Sequence, residues 1–238
     1  MNKINIVRVY TFCKLAYKNP DELLLDNKYI FLENKETDVQ CYLFFDCKMR
    51  NIYVTFRGTS SGKDMAVDLN VKKVNFFYDT KVHKGFFDQY MSIRNILMGK
   101  LNIYKNDYNI ITCGHSLGGA LATLFAVDYK CDCITIGAPR VGNKEFCDVF
   151  NKYVKKSLRI VNEYDPIPKV PKIGYKHVSP PYSILYNKYK KYKFYNICNK
   201  NLFLDVECHY LDFYLKETNF IKLCELLNGD TITDFAGV

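Results

Sequence analysis

Residues 110–129 read IITCGHSLGGALATLFAVDY, and the hydrophobic pattern changes partway through. A short apolar run rich in β-branched residues gives way at Leu117 to helical spacing, and three glycines crowd Ser116 at the change. The segment GHSLG fits G-x-S-x-G, a strand-to-helix turn so tight that side chains at the flanking positions clash. Gly114 and Gly118 omit the offending Cβ atoms. Ser116 is then expected in a strained backbone conformation at the C-terminal edge of a sheet, exposed above it, with a helix N-terminus directed at its hydroxyl. A glycine-rich helix entry with an incidental serine fits the same five residues, so the rest of the chain has to decide.

Upstream, the helical segment IVRVYTFCKLAY leads to strand-like KYIFLE, VQCYLFFD and NIYVTFRG, and then to the polar loop TSSGKDMAVDLN. The second part of VHKGFFDQYMSIRNILMGKL has helical spacing. After it come NIITCG, the helix from Leu117, CITIGAP, a helix from about Lys144 and LRIVNEYD, so that strand and helix alternate. Alternation implies right-handed βαβ units. The expected fold class is therefore α/β, a mostly parallel central sheet with antiparallel edge strands and helices on both faces. No repeat, low-complexity linker or composition shift divides the chain, and residues 1–238 are expected to form one domain.

A serine hydroxyl is protonated at neutral pH and needs a base to attack; the base needs an acid to fix its tautomer. The chain offers four histidines. His115 adjoins the serine with its side chain directed away, and His83 precedes it, against the Ser…Asp…His order of this architecture. His177, in GYKHVSPPYSI, stands at the start of an edge strand close after Asp165 and reads as structural. His209, in VECHYLDFYL, lies where a loop meets a helix, a placement that suits a loop-delivered base, and spacing favours it. Asp165 follows the apolar strand in RIVNEYDPIP and precedes a proline-punctuated loop, so it should reach the active edge. Asp128 and Asp132 flank the helix-to-strand connection and belong at the opposite end.

Composition narrows the partners. With 48% hydrophobic residues the chain can build a substantial core, and no window approaches the roughly 18 apolar residues of a membrane-spanning helix. The opening MNKINIVRVYTFCK shows no apolar stretch ahead of a cleavage site, which leads to the expectation of an intracellular, cytoplasmic protein, soluble or peripheral at lipid surfaces. Ten cysteines then read as reduced, buried thiols, and none has the C-x-x-C spacing of a zinc site; no metal is expected. The net charge of +9 is most concentrated in YNKYKKYKFYNIC (186–198), which reads as two short strands around a solvated, charged turn rather than as a nucleic-acid surface.

Taken together and in order, VTFRGTSS, VHKGFFDQY, CGHSLGGALATL, GAPRVGN, RIVNEYDPIPKVP, GYKHV and HYLDFYL resemble the class 3 lipase family, the α/β-hydrolases that include filamentous-fungal triacylglycerol lipases. The resemblance implies Ser116 as nucleophile, Asp165 as orienting acid and His209 as general base, with the GYKHV histidine, His177, outside the triad. It implies an oxyanion hole at the backbone amides of Thr59 and Leu117, the latter already suggested by its place directly after the nucleophile. Arg57 and His83 fall in family motifs with architectural roles; Arg140 has none assigned.

A lid is implied over about residues 60–70, presenting Met65, Val67 and Leu69. Met65 stands where the fungal enzymes commonly carry tryptophan, and Gly62 lowers helix propensity by about 1 kcal/mol relative to alanine. A modestly hydrophobic lid follows. The implied activity is hydrolysis of lipid esters through an acyl-enzyme, without cofactor. Alternatives are a phospholipase A1 or monoacylglycerol lipase of the same mechanism, or a catalytically silent lipase-like binding module. The partners expected are the lipid ester and, transiently, a lipid interface.

Overall fold

The computed structural model describes residues 6–23, 28–59, 72–162, 165–179, 181–183 and 209–214. Helix α1 (Ile6–Leu15) comes first, and β1 (Tyr29–Asn34), β2 (Val39–Asp46) and β3 (Asn51–Phe56) follow as an antiparallel meander. Next, β4 (Lys73–Asn75) and β5 (Lys81–His83) form a separate two-stranded hairpin. Helix α2 (Lys84–Asn102) returns the chain to β6 (Asn109–His115), which pairs parallel with β3. Helix α3 (Leu117–Tyr129), β7 (Asp132–Ile136), α4 (Lys144–Tyr153), β8 (Ser157–Val161) and β9 (Pro181–Ser183) continue the parallel part, and the short α5 (Leu211–Tyr214) closes the described chain. The seven-stranded order is β1-β2-β3-β6-β7-β8-β9. An α/β fold with antiparallel edge strands and helices on both faces is what the alternation of patterns required.

Two cores sandwich this sheet. On one face, α2 buries Phe86, Tyr90, Ile93, Leu97 and Leu101, residues spaced by three and four, against α3 and the sheet. Helix α3 is buried along nearly its whole length, from Gly118 to Val127, which explains its unbroken apolar sequence. On the other face, α1 packs Val9, Phe12 and Cys13 on Phe44, Tyr53 and Cys113, with Phe12 stacked on Phe44 at 4.5 Å. The end of the sheet away from Ser116 is tied by Asp128, which accepts from Arg94 Nη2 at 3.0 Å and also bonds Tyr90. Asp128 and Asp132 lie at that end, as their place in the sequence indicated.

The short β4–β5 hairpin was not legible in the sequence: three-residue strands leave too little alternation to detect. The second of the two strands read in 186–198, and most of the first, lie outside the described residues, as do Met65, Val67 and Leu69 of the expected lid. Among the described residues, no helix is long and apolar enough to cross a membrane.

Candidate active site

Strand β6 ends at His115, and the chain reverses into α3 with Ser116 at φ 60°, ψ −129°, a region that costs a non-glycine residue about 1–3 kcal/mol. The glycines around it make the turn possible. A Cβ on Gly114 would strike the Gly118 carbonyl, and one on Gly118 would strike the Phe56 carbonyl at the end of β3. A Cβ on Gly58 would meet the Tyr17 hydroxyl and the His115 carbonyl, so the stretch after β3, which carries Thr59, is packed against the turn. Leu117 opens α3, and its amide belongs to the first helical turn, where N–H groups lack an intrahelical acceptor.

Three distant parts of the chain meet here. His209 Nε2 lies 2.6 Å from Ser116 Oγ, and His209 Nδ1 lies 2.8 Å from Asp165 Oδ2. A carboxylate only accepts, so Nδ1 carries the proton and Nε2 is the lone-pair nitrogen facing the serine. Asp165 is itself held by donors: the Ile167 amide on Oδ1 at 2.8 Å, and the Tyr214 hydroxyl on Oδ2. That hydroxyl in turn accepts the Asn162 amide at 3.1 Å. Gly137, at φ +59°, leaves the space in which Asp165 and Tyr214 meet. Ser116, Asp165 and His209 are 1%, 0% and 2% exposed, so the serine is buried where an exposed hydroxyl was expected. The His209 ring, bonded to Ser116 Oγ, also stacks on His115 at 4.7 Å.

His115 has a part that its position beside the serine did not suggest. Its Nε2 lies 2.7 Å from the His209 carbonyl, an obligate acceptor, so Nε2 carries the proton and Nδ1 accepts the Tyr17 hydroxyl at 2.8 Å. Burial, reinforced by the His209 ring, pushes His115 down to about 3, so the ring is neutral and this tautomer persists through ordinary pH. Burial also raises Tyr17, which stays a donor. Tyr17 sits just beyond α1, and no local pattern connects it to a serine so far along the chain. Tyr214 follows His209 by little more than one helical turn, a spacing that could have flagged it.

The remaining candidates separate from the triad. His177 bonds the Pro168 carbonyl, and burial together with Arg159 pushes it down to about 3. His83 caps α2, its ring nitrogen accepting the Phe86 amide at 3.4 Å. Arg57 reaches Gln40 Oε1 at 2.7 Å and so braces the end of β3 on β2. Arg140, unassigned by sequence, holds the loop after Asp165 through the Pro171 carbonyl at 3.1 Å.

A family model described as Lipase (class 3) matches residues 53–175, more than half of the chain. A lipase of Rhizomucor miehei is 36% identical over 155 residues, covering 58% of this chain and 43% of the relative. A secreted mono- and diacylglycerol lipase of Fusarium solani is 28% identical over 159 residues, covering 62% and 48%. The chain thus spans less than half the length of these curated relatives. The native propeptide complex of Rhizomucor miehei lipase superposes with a TM-score of 0.64 at 28% identity, covering 75% of this chain and 67% of that one.

One expectation is overturned by these relatives. The Fusarium solani relative is described as secreted, which points to an extracellular setting, where the opening residues had suggested an intracellular one. The thiols gave no independent support for a reducing compartment. Cys41, Cys131 and Cys133 are buried, and burial raises each of them, so they stay protonated and inert in either setting.

Proposed function

The chain belongs to the class 3 lipase family, and from that premise we propose that it is a serine hydrolase of lipid carboxylic esters, with 1–238 acting as one domain. The observation that carries this reading is the unbroken hydrogen-bonded line from Asp165 through His209 to Ser116. His209 Nε2 takes the serine proton as Oγ attacks the ester carbonyl, while Asp165 stabilises the imidazolium. The oxyanion is received by the Thr59 and Leu117 amides, each such donor being worth roughly 3–4 kcal/mol of barrier. The alcohol leaves with the proton from Nε2. Water, activated by the same nitrogen, then hydrolyses the acyl-enzyme. By resemblance, a lid over about 60–70 and transient contact with a lipid interface belong to the proposal.

Ester chemistry is supported over a silent binding module by the intact line itself, since loss of any one of the three groups would break it. Partial glycerides are the first substrates to try, because the Fusarium relative is named for mono- and diacylglycerol. Phospholipids are the alternative arm of the same panel, read by released fatty acid. In the decisive experiment, Ser116→Ala lowers hydrolysis of p-nitrophenyl butyrate by several orders of magnitude with the fold retained. Turnover unchanged in that variant refutes the assignment.

A further inference from the structure

The β4–β5 hairpin and the loop after Asp165 meet beyond the C-terminal edge of the sheet, the edge on which Ser116 lies. Gly142 bridges Val82 on one side and Lys176 on the other, and the Lys176 amide donates to the Gly142 carbonyl at 2.9 Å. Between buried Pro171 and buried Tyr175 the chain turns at Ile173 and Gly174, the glycine at φ +71°. Ile173 stands at this turn 88% exposed, more than any other large hydrophobic residue described.

Lysines surround it. Lys169, Lys172 and Lys176 are exposed on the same loop. Lys73 reaches over from β4, its ammonium 4.8 Å from the centre of the Tyr175 ring and against the face of Gly174. Lys35, Lys84 and Lys144 pair with carboxylates elsewhere among the described residues, and these four lysines are not among them. The turn is also held firmly. The Arg140 amide donates to the Val170 carbonyl at 2.9 Å, Arg140 Nη1 donates to the Pro171 carbonyl, and the Tyr175 hydroxyl reaches the Lys72 carbonyl at 3.5 Å.

An aliphatic side chain fixed in water at the tip of an ordered turn gains by entering hydrocarbon, and little ordering cost offsets that gain. Ammonium groups on the same loop and on adjoining β4 attract anionic headgroups, each strengthening binding by about fivefold. We propose that the turn at 171–176, with Lys73 and Lys169, is the element that docks this protein on an anionic lipid surface. Ile173 enters the acyl layer while the lysines contact the headgroup phosphates. The inference deepens the ester-hydrolase reading and rests on it for its purpose, because the loop begins at Asp165 and docking would bring the triad edge to the lipid.

The test uses the full chain carrying Ser116→Ala, so that vesicles are not consumed, with co-sedimentation on phosphatidylcholine vesicles with and without phosphatidylglycerol. Binding to the anionic vesicles should exceed binding to neutral ones by at least about tenfold at about 0.1 M salt, and the excess should fall at about 1 M, where screening shortens to about 3 Å. Lys172→Gln with Lys176→Gln should weaken anionic binding about 25-fold, and Ile173→Ser by at least about tenfold. Lys105→Gln with Lys130→Gln, at the other end of the sheet, should leave it unchanged. Equal binding to both vesicle types, unaltered binding of the loop variants, or an equal loss from the distant pair overturns the proposal. A failure of the hydrolase reading would show separately, in hydrolysis of the soluble ester by the unmodified protein.

Discussion

Replacing His115 by phenylalanine tests how the base is held. The ring volume and the stack on His209 are largely kept, but both hydrogen bonds go. The His209 carbonyl loses its donor at 2.7 Å and the Tyr17 hydroxyl loses its acceptor at 2.8 Å. Each buried polar group left unpaired costs about 1–3 kcal/mol, so a total near 3 kcal/mol is expected. For a chain of this size that corresponds to a fall in Tm of about 6–12 °C. Activity should fall further than stability explains, because the lost bond fixes the backbone of His209 itself, and a misplacement of about 1 Å at a catalytic group costs about a hundredfold. His115→Gln, whose amide can donate from near the Nε2 position, should recover part of kcat while leaving the Tyr17 hydroxyl proton without its His115 acceptor. The assays are thermal melting and kcat/KM on p-nitrophenyl butyrate at a temperature where all variants are folded. A phenylalanine variant with unaltered kcat and Tm would refute the tether.

Gly118→Ala should abolish activity or prevent folding, since the added Cβ meets the Phe56 carbonyl rather than a yielding side chain; a soluble, active variant by circular dichroism and ester hydrolysis would contradict the packing described. Stability should decline as pH falls from about 6.5 to 5. His115 and His177 are held down to about 3 in the folded chain, so the unfolded state gains protons first as pH drops through the ordinary histidine range. For His115 the loss is about 2 kcal/mol at pH 5. Urea unfolding across this window, above the range where carboxylates titrate, checks it; a flat profile would mean that neither ring is buried neutral.

Much of this protein is fixed by short-range rules. The helix, strand and turn order is written in periodicities of a few residues. The glycines of GHSLGG announce a turn that excludes side chains, and a Cβ at Gly114 or Gly118 would meet a backbone carbonyl, as that rule requires. Asp165 could be placed because a strand and a proline-marked loop flank it directly. His209 could be favoured over His177 by spacing, but nothing local states that one ring meets Ser116 Oγ while the other binds the Pro168 carbonyl.

Those decisions belong to the tertiary structure, because they depend on which chemically similar groups the sheet order brings within bonding distance. Tyr17 and His115 are joined across 98 positions of sequence, and Tyr214 reaches the triad carboxylate from the last described helix. Burial is decided there too: Ser116, expected at the surface, is buried, and His115 is kept neutral by surroundings that no neighbouring residue supplies. Sequence set which elements form and where a nucleophile can stand. Only the packing of those elements determined what faces it, because hydrogen bonds and desolvation act through space and not along the chain.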